Sequence, residues 1–350
     1  MWKFLESEMK VIIGLCENAD RTDSEVAELY GLNKGTVASI RRRLLDAGAI
    51  HYVNVPSFNK LGCEMLGFHV GSTEPSDKTD ARTSDYVEFC NRSPQILEGI
   101  LGGNSVFFYT VFRNATEYDS FVQSHNRFFS GSRRTSKAKL RNAVFPYALS
   151  RGTFVPNFAP IVHNFFKLDV PTPKVQMPAP VDIESPDLTD TEKATLIAMV
   201  ENAMASDREI ASVVKLSRQA ITRIRNRMIE DRFVTRACLP RLYKWGFEIC
   251  AIAHAWFNME MSWDKRLKSQ PRTVVDLSFY TLSKPDEAVA SYLIASFADY
   301  SDRVETVMAW YHKAGAFDEK PEITLFPLEH CIELRGFDYG PAIRKLLSRR

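Results

Sequence analysis

The chain repeats itself without a gap at an offset of 184 residues, and that duplication constrains the fold more than any other feature. Glu17-Asn18-Ala19 recurs as Glu201-Asn202-Ala203, and Asp23, Glu25, Ala27 and Leu32 recur as Asp207, Glu209, Ala211 and Leu216. Ile40, Arg41 and Arg43 return as Ile224, Arg225 and Arg227, and Pro56, Lys60, Gly62 and Glu64 as Pro240, Lys244, Gly246 and Glu248. Solenoid repeats have periods of roughly 20–50 residues. A repeat this long is a half-protein, so the two copies should follow one backbone path.

With 350 residues, 45% of them hydrophobic, the chain can fill several cores. Its net charge of +2 is close to neutral, so a nucleic-acid partner would have to be met by local patches. No apolar run is long enough for a bilayer, and Met1-Trp2-Lys3 lacks a signal-peptide layout. The six cysteines are scattered without metal-ligand spacing, which predicts reduced thiols and a cytoplasmic address. With no phosphate-cradling glycine loop or two-histidine metal helix in the sequence, no metal or other cofactor is expected. Residues 169–187 carry Pro171, Pro173, Pro178, Pro180 and Pro186 and read as a semi-rigid linker between the copies.

Each copy opens with a helical module, expected over residues 1–60 and 188–244. In the first, Leu5, Met9, Ile12, Ile13 and Cys16 give a helical stripe, and Thr22-Asp23-Ser24-Glu25 is a capping box that starts a second helix. Gly31 ends that helix, Asn33 caps a third, and Val37, Ile40 and Leu44 form its buried stripe. Gly48 stops the third helix and Ile50–Val55 forms a strand. Thr189-Asp190-Thr191-Glu192, Ser206-Asp207-Arg208-Glu209, Ser217 and the stripe Ile221, Ile224, Met228 repeat the reading. Three helices, a tight turn and a strand are the order of a winged helix-turn-helix.

The third helices carry the chemistry. Opposite the first stripe lie Gly35, Ser39 and Arg42, flanked by Ala38 and Arg43; opposite the second lie Gln219, Arg223 and Asn226, flanked by Thr222 and Arg227. Small residues allow close approach to DNA, and Arg, Asn and Gln bond base edges in pairs. Lys34 and Arg218 stand at the helix starts, placed for phosphates or bases. A solvated basic helix would look similar in isolation; the cap, turn, strand and second copy favour double-stranded DNA as the partner. Because the two outer faces differ, an asymmetric site with unlike half-sites is expected.

The rest of each copy, residues 61–168 and 245–350, has strand–helix–strand–strand–helix–strand character. Strands are expected at Met65–Val70, Ile96–Leu101, Val106–Phe112 and Ala143–Leu149, then at Ile249–Phe257, Thr273–Thr281, Ala290–Ser296 and Ile323–Pro327. Helices are expected near 84–92, 116–129, 262–269 and 299–313. This is the pattern of a ferredoxin-like (βαββαβ) domain, so the predicted class is α+β, a tandem duplication of helix-turn-helix plus ferredoxin-like domain. Aromatic tails, Phe154 to Phe166 and Cys331 to Arg350, should strap across a neighbouring domain.

The recognition helix running into Gly48-Ala49-Ile50, and Pro94-Gln95-Ile96-Leu97-Glu98 followed by Gly102-Gly103 and the strand Val106–Val111, carry a resemblance. The chain resembles two fused copies of the Lrp/AsnC (feast/famine) transcription regulators of archaea and bacteria. The resemblance implies a DNA-binding regulator that pairs its sheets, within one chain or as a homodimer, and a small-molecule effector, often an amino acid, at the glycine turn. It places Gly102, Gly103, Asn104 and Ser105 at that effector site; a plain hairpin turn is the competing reading. The family's acidic residue after the glycines is absent, and the second copy has Ser283-Lys284-Pro285-Asp286 with no glycine.

Other readings stay open. The basic run Arg133 to Arg141 is a flanking phosphate contact or an exposed loop. Siroheme decarboxylases resemble the same two-module design, and His69, His125, His254, His312 and Arg113 would be the groups to serve such chemistry; they form no cluster in the sequence. The basic third helices favour a regulator over an enzyme, so no catalytic residues are expected. An architectural chromatin protein is the remaining alternative.

Overall fold

The computed structural model describes residues 3–72, 80–103, 105–131, 139–171, 173, 177–185, 187–270, 278–317 and 319–348. Asn104, residues 133–138 of the basic run and residues 273–277 of an expected strand lie outside the described residues, as do parts of the linker.

The first copy begins with α1 (Glu6–Glu17), α2 (Asp23–Tyr30) and α3 (Lys34–Asp46), followed by β1 (Ile50–Pro56). The expected capping box forms: the Thr22 hydroxyl accepts from the Glu25 amide at 3.2 Å and the Glu25 carboxylate accepts from the Thr22 amide at 2.7 Å. Asn33 accepts from the Gly35 amide at 2.8 Å and so starts α3. Gly31 closes α2 with φ +63°, a conformation that costs a residue with a Cβ about 1–2 kcal/mol.

A mixed domain follows: β2 (Met65–Ser72), α4 (Asp80–Arg92), β3 (Ile96–Gly102), β4 (Ser105–Phe112), α5 (Ala115–Gly131) and β5 (Lys139–Pro146). The β5 strand lies earlier than expected because Pro146 ends it, and Tyr147–Leu149 turn into a short 3₁₀ segment. The tail supplies β6 (Arg151–Gly152) and α6 (Ala159–Phe166).

The second copy repeats the series as α7 (Asp190–Glu201), α8 (Asp207–Val214), α9 (Arg218–Glu230) and β7 (Val234–Pro240). Then come β8 (Ile249–Trp256), α10 (Trp263–Ser269), β9 (Ser278–Ser283), β10 (Glu287–Ile294), α11 (Phe297–Lys313) and β11 (Glu322–Pro327), with β12 (Cys331–Leu334) and α12 (Gly340–Ser348) as its tail. Lys215, which stands where the first copy has Gly31, takes the same left-handed turn at φ 60°. β1 and β7, the strands that follow the helical heads, form a two-stranded sheet.

Each mixed domain has the ferredoxin-like strand order, extended by one strand. The first sheet runs β12-β3-β4-β2-β5 and the second runs β11-β8-β10-β9-β6. The fifth strand comes in each case from the tail of the other copy: Cys331–Leu334 lie against Gly99–Gly102, and Arg151–Gly152 against Leu282–Ser283. An edge strand covered in this way no longer offers unpaired amides to another chain.

Compactness follows the exchange rather than the copies. One unit comprises Met1–Val53, Arg151–Ala179 and Arg236–Glu329; the other comprises Asn54–Ser150, Pro180–Thr235 and His330–Arg350. Each therefore joins the helices of one head to the mixed domain of the other copy. In the first unit, Phe4 meets Trp245 at 4.8 Å between ring centroids, and Phe158 stacks on Phe279 at 5.0 Å. In the second, α12 is pinned by Arg344 to Glu201 and by Lys345 to Glu117. The aromatic tails are packing elements.

Candidate functional site

The third helix of each head presents one face to its own core and one to solvent. Val37, Ile40 and Leu44 are buried in α3, as are Ile221, Ile224 and Met228 in α9. Lys34, Ser39, Arg42 and Arg43 are exposed, and so are Arg218, Gln219, Arg223, Asn226 and Arg227. Thr222 is half-buried and donates its hydroxyl to Asp207 at 2.5 Å.

Ion pairs divide these arginines into two sets. Arg43 is bound to the nearly buried Glu8, and Arg227 to the nearly buried Glu192, each a carboxylate on the first helix of the same head. Arg41 pairs with Asp23 at 2.9 Å and donates to the Arg21 carbonyl at 2.6 Å. Arg225 does the same with Asp207 at 2.6 Å and the Ala205 carbonyl at 2.7 Å. The arginines that recur at the repeat offset are thus braces of the helical head. Glu8 and Glu192 share that offset, a signal in the sequence that marks Arg43 and Arg227 as structural.

The groups that do not recur point outward. Lys34 and Arg42 on α3, and Arg218 and Arg223 on α9, take part in none of the ion pairs found among the described residues. Ser39 stands where the second copy has Arg223, and Arg42 where it has Asn226. Two unlike, positively charged helix faces result.

The glycine turn is a hairpin. Gly102 and Ser105 face each other across β3 and β4, and Gly103 supplies the positive φ of +58°. β12 runs along β3 there, with Cys331 opposite Gly102.

His69 and His125 share the core of the first mixed domain, whereas His254 and His312 belong to the second. His69 is fully buried, its ring nitrogens 2.6 Å from Asn142 Oδ1 and 2.9 Å from Thr110 Oγ1, and burial pushes its pKa down to about 4. His125 sits 2.9 Å from the Tyr86 hydroxyl, and burial, aided by His69, pushes it to about 3. His254 contacts Glu287 at 2.6 Å in the other mixed domain, His312 is exposed near the end of α11, and Arg113 donates to the Leu346 carbonyl. No cluster of three or more His, Cys, Asp or Glu residues suited to a metal occurs among the described residues.

A feature the sequence reading missed is a cavity of about 1020 Å³, open mouth included, between the second sheet and the helices α10 and α11. Ala251, Ala253, Ala255, Ala288 and Ala290 floor it, and Arg266 and Arg303 reach its wall.

The chain matches no known family profile and no curated protein sequence. Among solved structures, the siroheme decarboxylase NirDL is similar over 97% of this chain and 98% of its own, with 11% identity and a TM-score of 0.52. NirDL in complex with an iron-uroporphyrin III analogue matches with the same identity and TM-score. A transcriptional regulator from Neisseria meningitidis, in complex with L-Met, covers 41% of this chain and 89% of its own at 17% identity and a TM-score of 0.33. The two NirDL likenesses agree with a helix-turn-helix plus ferredoxin-like fold. They also correct one expectation: the chain cannot be set down as a non-enzyme on its architecture, because the full-length arrangement is also that of a decarboxylase. Basic outer faces on two helices were too narrow a ground for that exclusion. No described helix is long and apolar enough to cross a membrane.

Proposed function

We propose that the chain is a DNA-binding regulator that reads duplex DNA with two unlike heads, α3 and α9. The observation that carries this reading is the placement of Lys34, Arg42, Arg218 and Arg223 on exposed faces, without acidic partners among the described residues, on the helix that in this motif enters the major groove. Arg42 and Arg223 suit guanine O6 and N7, Gln219 and Asn226 suit adenine, and Ser39 allows close approach. Lys34 and Arg218, at the helix starts, suit phosphates, which add affinity without sequence information. Unlike faces favour an operator with unlike half-sites.

Selection of bound sequences from a random duplex pool tests the reading. Arg42→Ala and Arg223→Ala should each relax base preference at one half-site and cost about 1–3 kcal/mol there. Equal weakening on every sequence would make both residues phosphate contacts and remove the base-reading role.

A second reading, an enzyme acting on a tetrapyrrole, draws on the cavity with its two arginines and on the likeness to NirDL. A uroporphyrin bears a carboxylate on each side chain, whereas the lining offers two guanidinium groups, one already paired with Asp299 at 2.7 Å. A titration with siroheme followed by visible absorption separates the readings: a shifted spectrum supports the enzyme and an unshifted one excludes it.

A further inference from the structure

The two mixed domains share one strand register and differ in what fills the layer between sheet and helices. In the first, Met65 lies opposite Phe112 and His69 opposite Phe108; in the second, Ile249 lies opposite Ile294 and Ala253 opposite Ala290. The first layer is closed by rings: His69 stacks on Phe108 at 4.8 Å and lies 5.4 Å from Phe121, and Phe108 lies 5.8 Å from His125. The equivalent positions in the second copy are Ala253, Ala290, Arg303 and Val307, all of which line the cavity. Four bulky rings have given way to two methyl groups, a valine and an arginine. The covering helix follows suit, for Tyr311 alone is buried among the 17 residues of α11.

Interiors are close-packed, and an unfilled apolar space forfeits dispersion attraction that a small molecule can restore. One charged group identifies the complement. Arg266 is 1% exposed and lines the cavity with its guanidinium 3.6 Å from the centre of the Phe257 ring. It donates to the carbonyls of Pro285 at 2.7 Å and Lys284 at 2.9 Å, in the turn between β9 and β10, and to the hydroxyl of Ser283, the last residue of β9, at 3.0 Å. No carboxylate lies within ion-pair distance of it among the described residues; Asp286, which is exposed, acts on it only from a longer range. A guanidinium buried against dipoles alone is a poor bargain unless an anion joins it.

We propose that this cavity binds an amphipathic carboxylate, its apolar body against Ala253, Ala290 and Val307 and its carboxylate at Arg266. The site lies between the sheet and helices of the second mixed domain, with Met177 of the linker at its wall, and shares no residue with the glycine hairpin of the first copy. It stands independently of the DNA-binding reading, since it rests on other residues. Arg303 is held by Asp299, so one anionic head is accommodated rather than several.

Fluorescence titration of the full chain with 8-anilinonaphthalene-1-sulfonate, an apolar aromatic anion, reports on the site directly. Emission should rise and shift to the blue, and decanoate should displace the probe at least about tenfold better than decanol. Ala290→Phe, which restores the ring of the first copy, and separately Ala253→Leu, should each weaken probe binding at least about tenfold. Arg266→Met should abolish the preference for decanoate over decanol while decanol competes as before. Equal competition by decanoate and decanol on the unaltered chain, a comparison that needs no substitution, would overturn the assignment of Arg266. Probe binding unchanged in a folded Ala290→Phe or Ala253→Leu chain, checked by circular dichroism, would overturn the cavity as the site.

Discussion

Lowering the pH from 7 to 5 should destabilise the mixed domain that contains His69 and His125, by an amount the structure sets. Both imidazoles are held neutral by burial, His69 near 4 and His125 near 3. An unfolded imidazole titrates near 6.5. Between those values the unfolded chain binds a proton at each position and the folded chain does not, so stability rises with pH across this window and is lost as pH falls. At pH 5 each histidine removes about 2 kcal/mol, or about 4 kcal/mol for the pair. Glu98 of the same domain, whose carboxyl burial holds well above the usual range, opposes part of that loss, because the folded chain binds its proton there and the unfolded chain does not. Urea unfolding followed by circular dichroism at the two pH values measures the loss, and the Cε1 proton resonances report each ring. The capping carboxylates Glu25 and Glu209, whose pKa values are lowered by hydrogen bonds from Thr22 and Ser206, act only at more acidic pH. An unchanged urea midpoint in a folded Glu98→Gln chain, or either imidazole titrating near 6.5 in the folded chain, would refute the reasoning.

The division of the arginines on the third helices can be checked by substitution. Arg43→Ala and Arg227→Ala should each destabilise the fold by about 1–2 kcal/mol, since Glu8 and Glu192 are left nearly buried without their partners; the figure is discounted from a fully buried pair because both arginines are about half exposed. Arg42→Ala and Arg223→Ala should shift stability by less than about 0.5 kcal/mol. Thermal melts of the four variants decide it, and equal losses in all four would contradict the division.

The local physics of the heads was legible because it is written in short-range residues. Thr22 with Glu25, Ser206 with Glu209, and the stripes Val37-Ile40-Leu44 and Ile221-Ile224-Met228 each act within a turn or two of chain. The ferredoxin-like order was legible for a similar reason, from alternating apolar runs bounded by turns. The exchange of tails was visible only as aromatic content: nothing local says that Arg151 should pair with Ser283 or Cys331 with Gly102. The braces of the heads were hidden because Arg43 and Arg42 look alike until their partners are placed, although Glu8 and Glu192 repeat in step with Arg43 and Arg227. The cavity escaped notice because it is a property of absent volume. Ala253 and Ala290 read as ordinary strand residues, and only their registration opposite each other under α11 makes them a floor.

The most direct test of the central claim is the affinity of the full chain for duplex DNA as salt is varied, with and without Lys34, Arg42, Arg218 and Arg223 replaced together by alanine. The account predicts binding whose logarithm falls linearly with the logarithm of salt concentration, and a slope shallower in the variant by about 0.9 for each phosphate that is no longer neutralised. Absence of binding at low salt, or a variant that binds with the same affinity and slope as the unaltered chain, would contradict it.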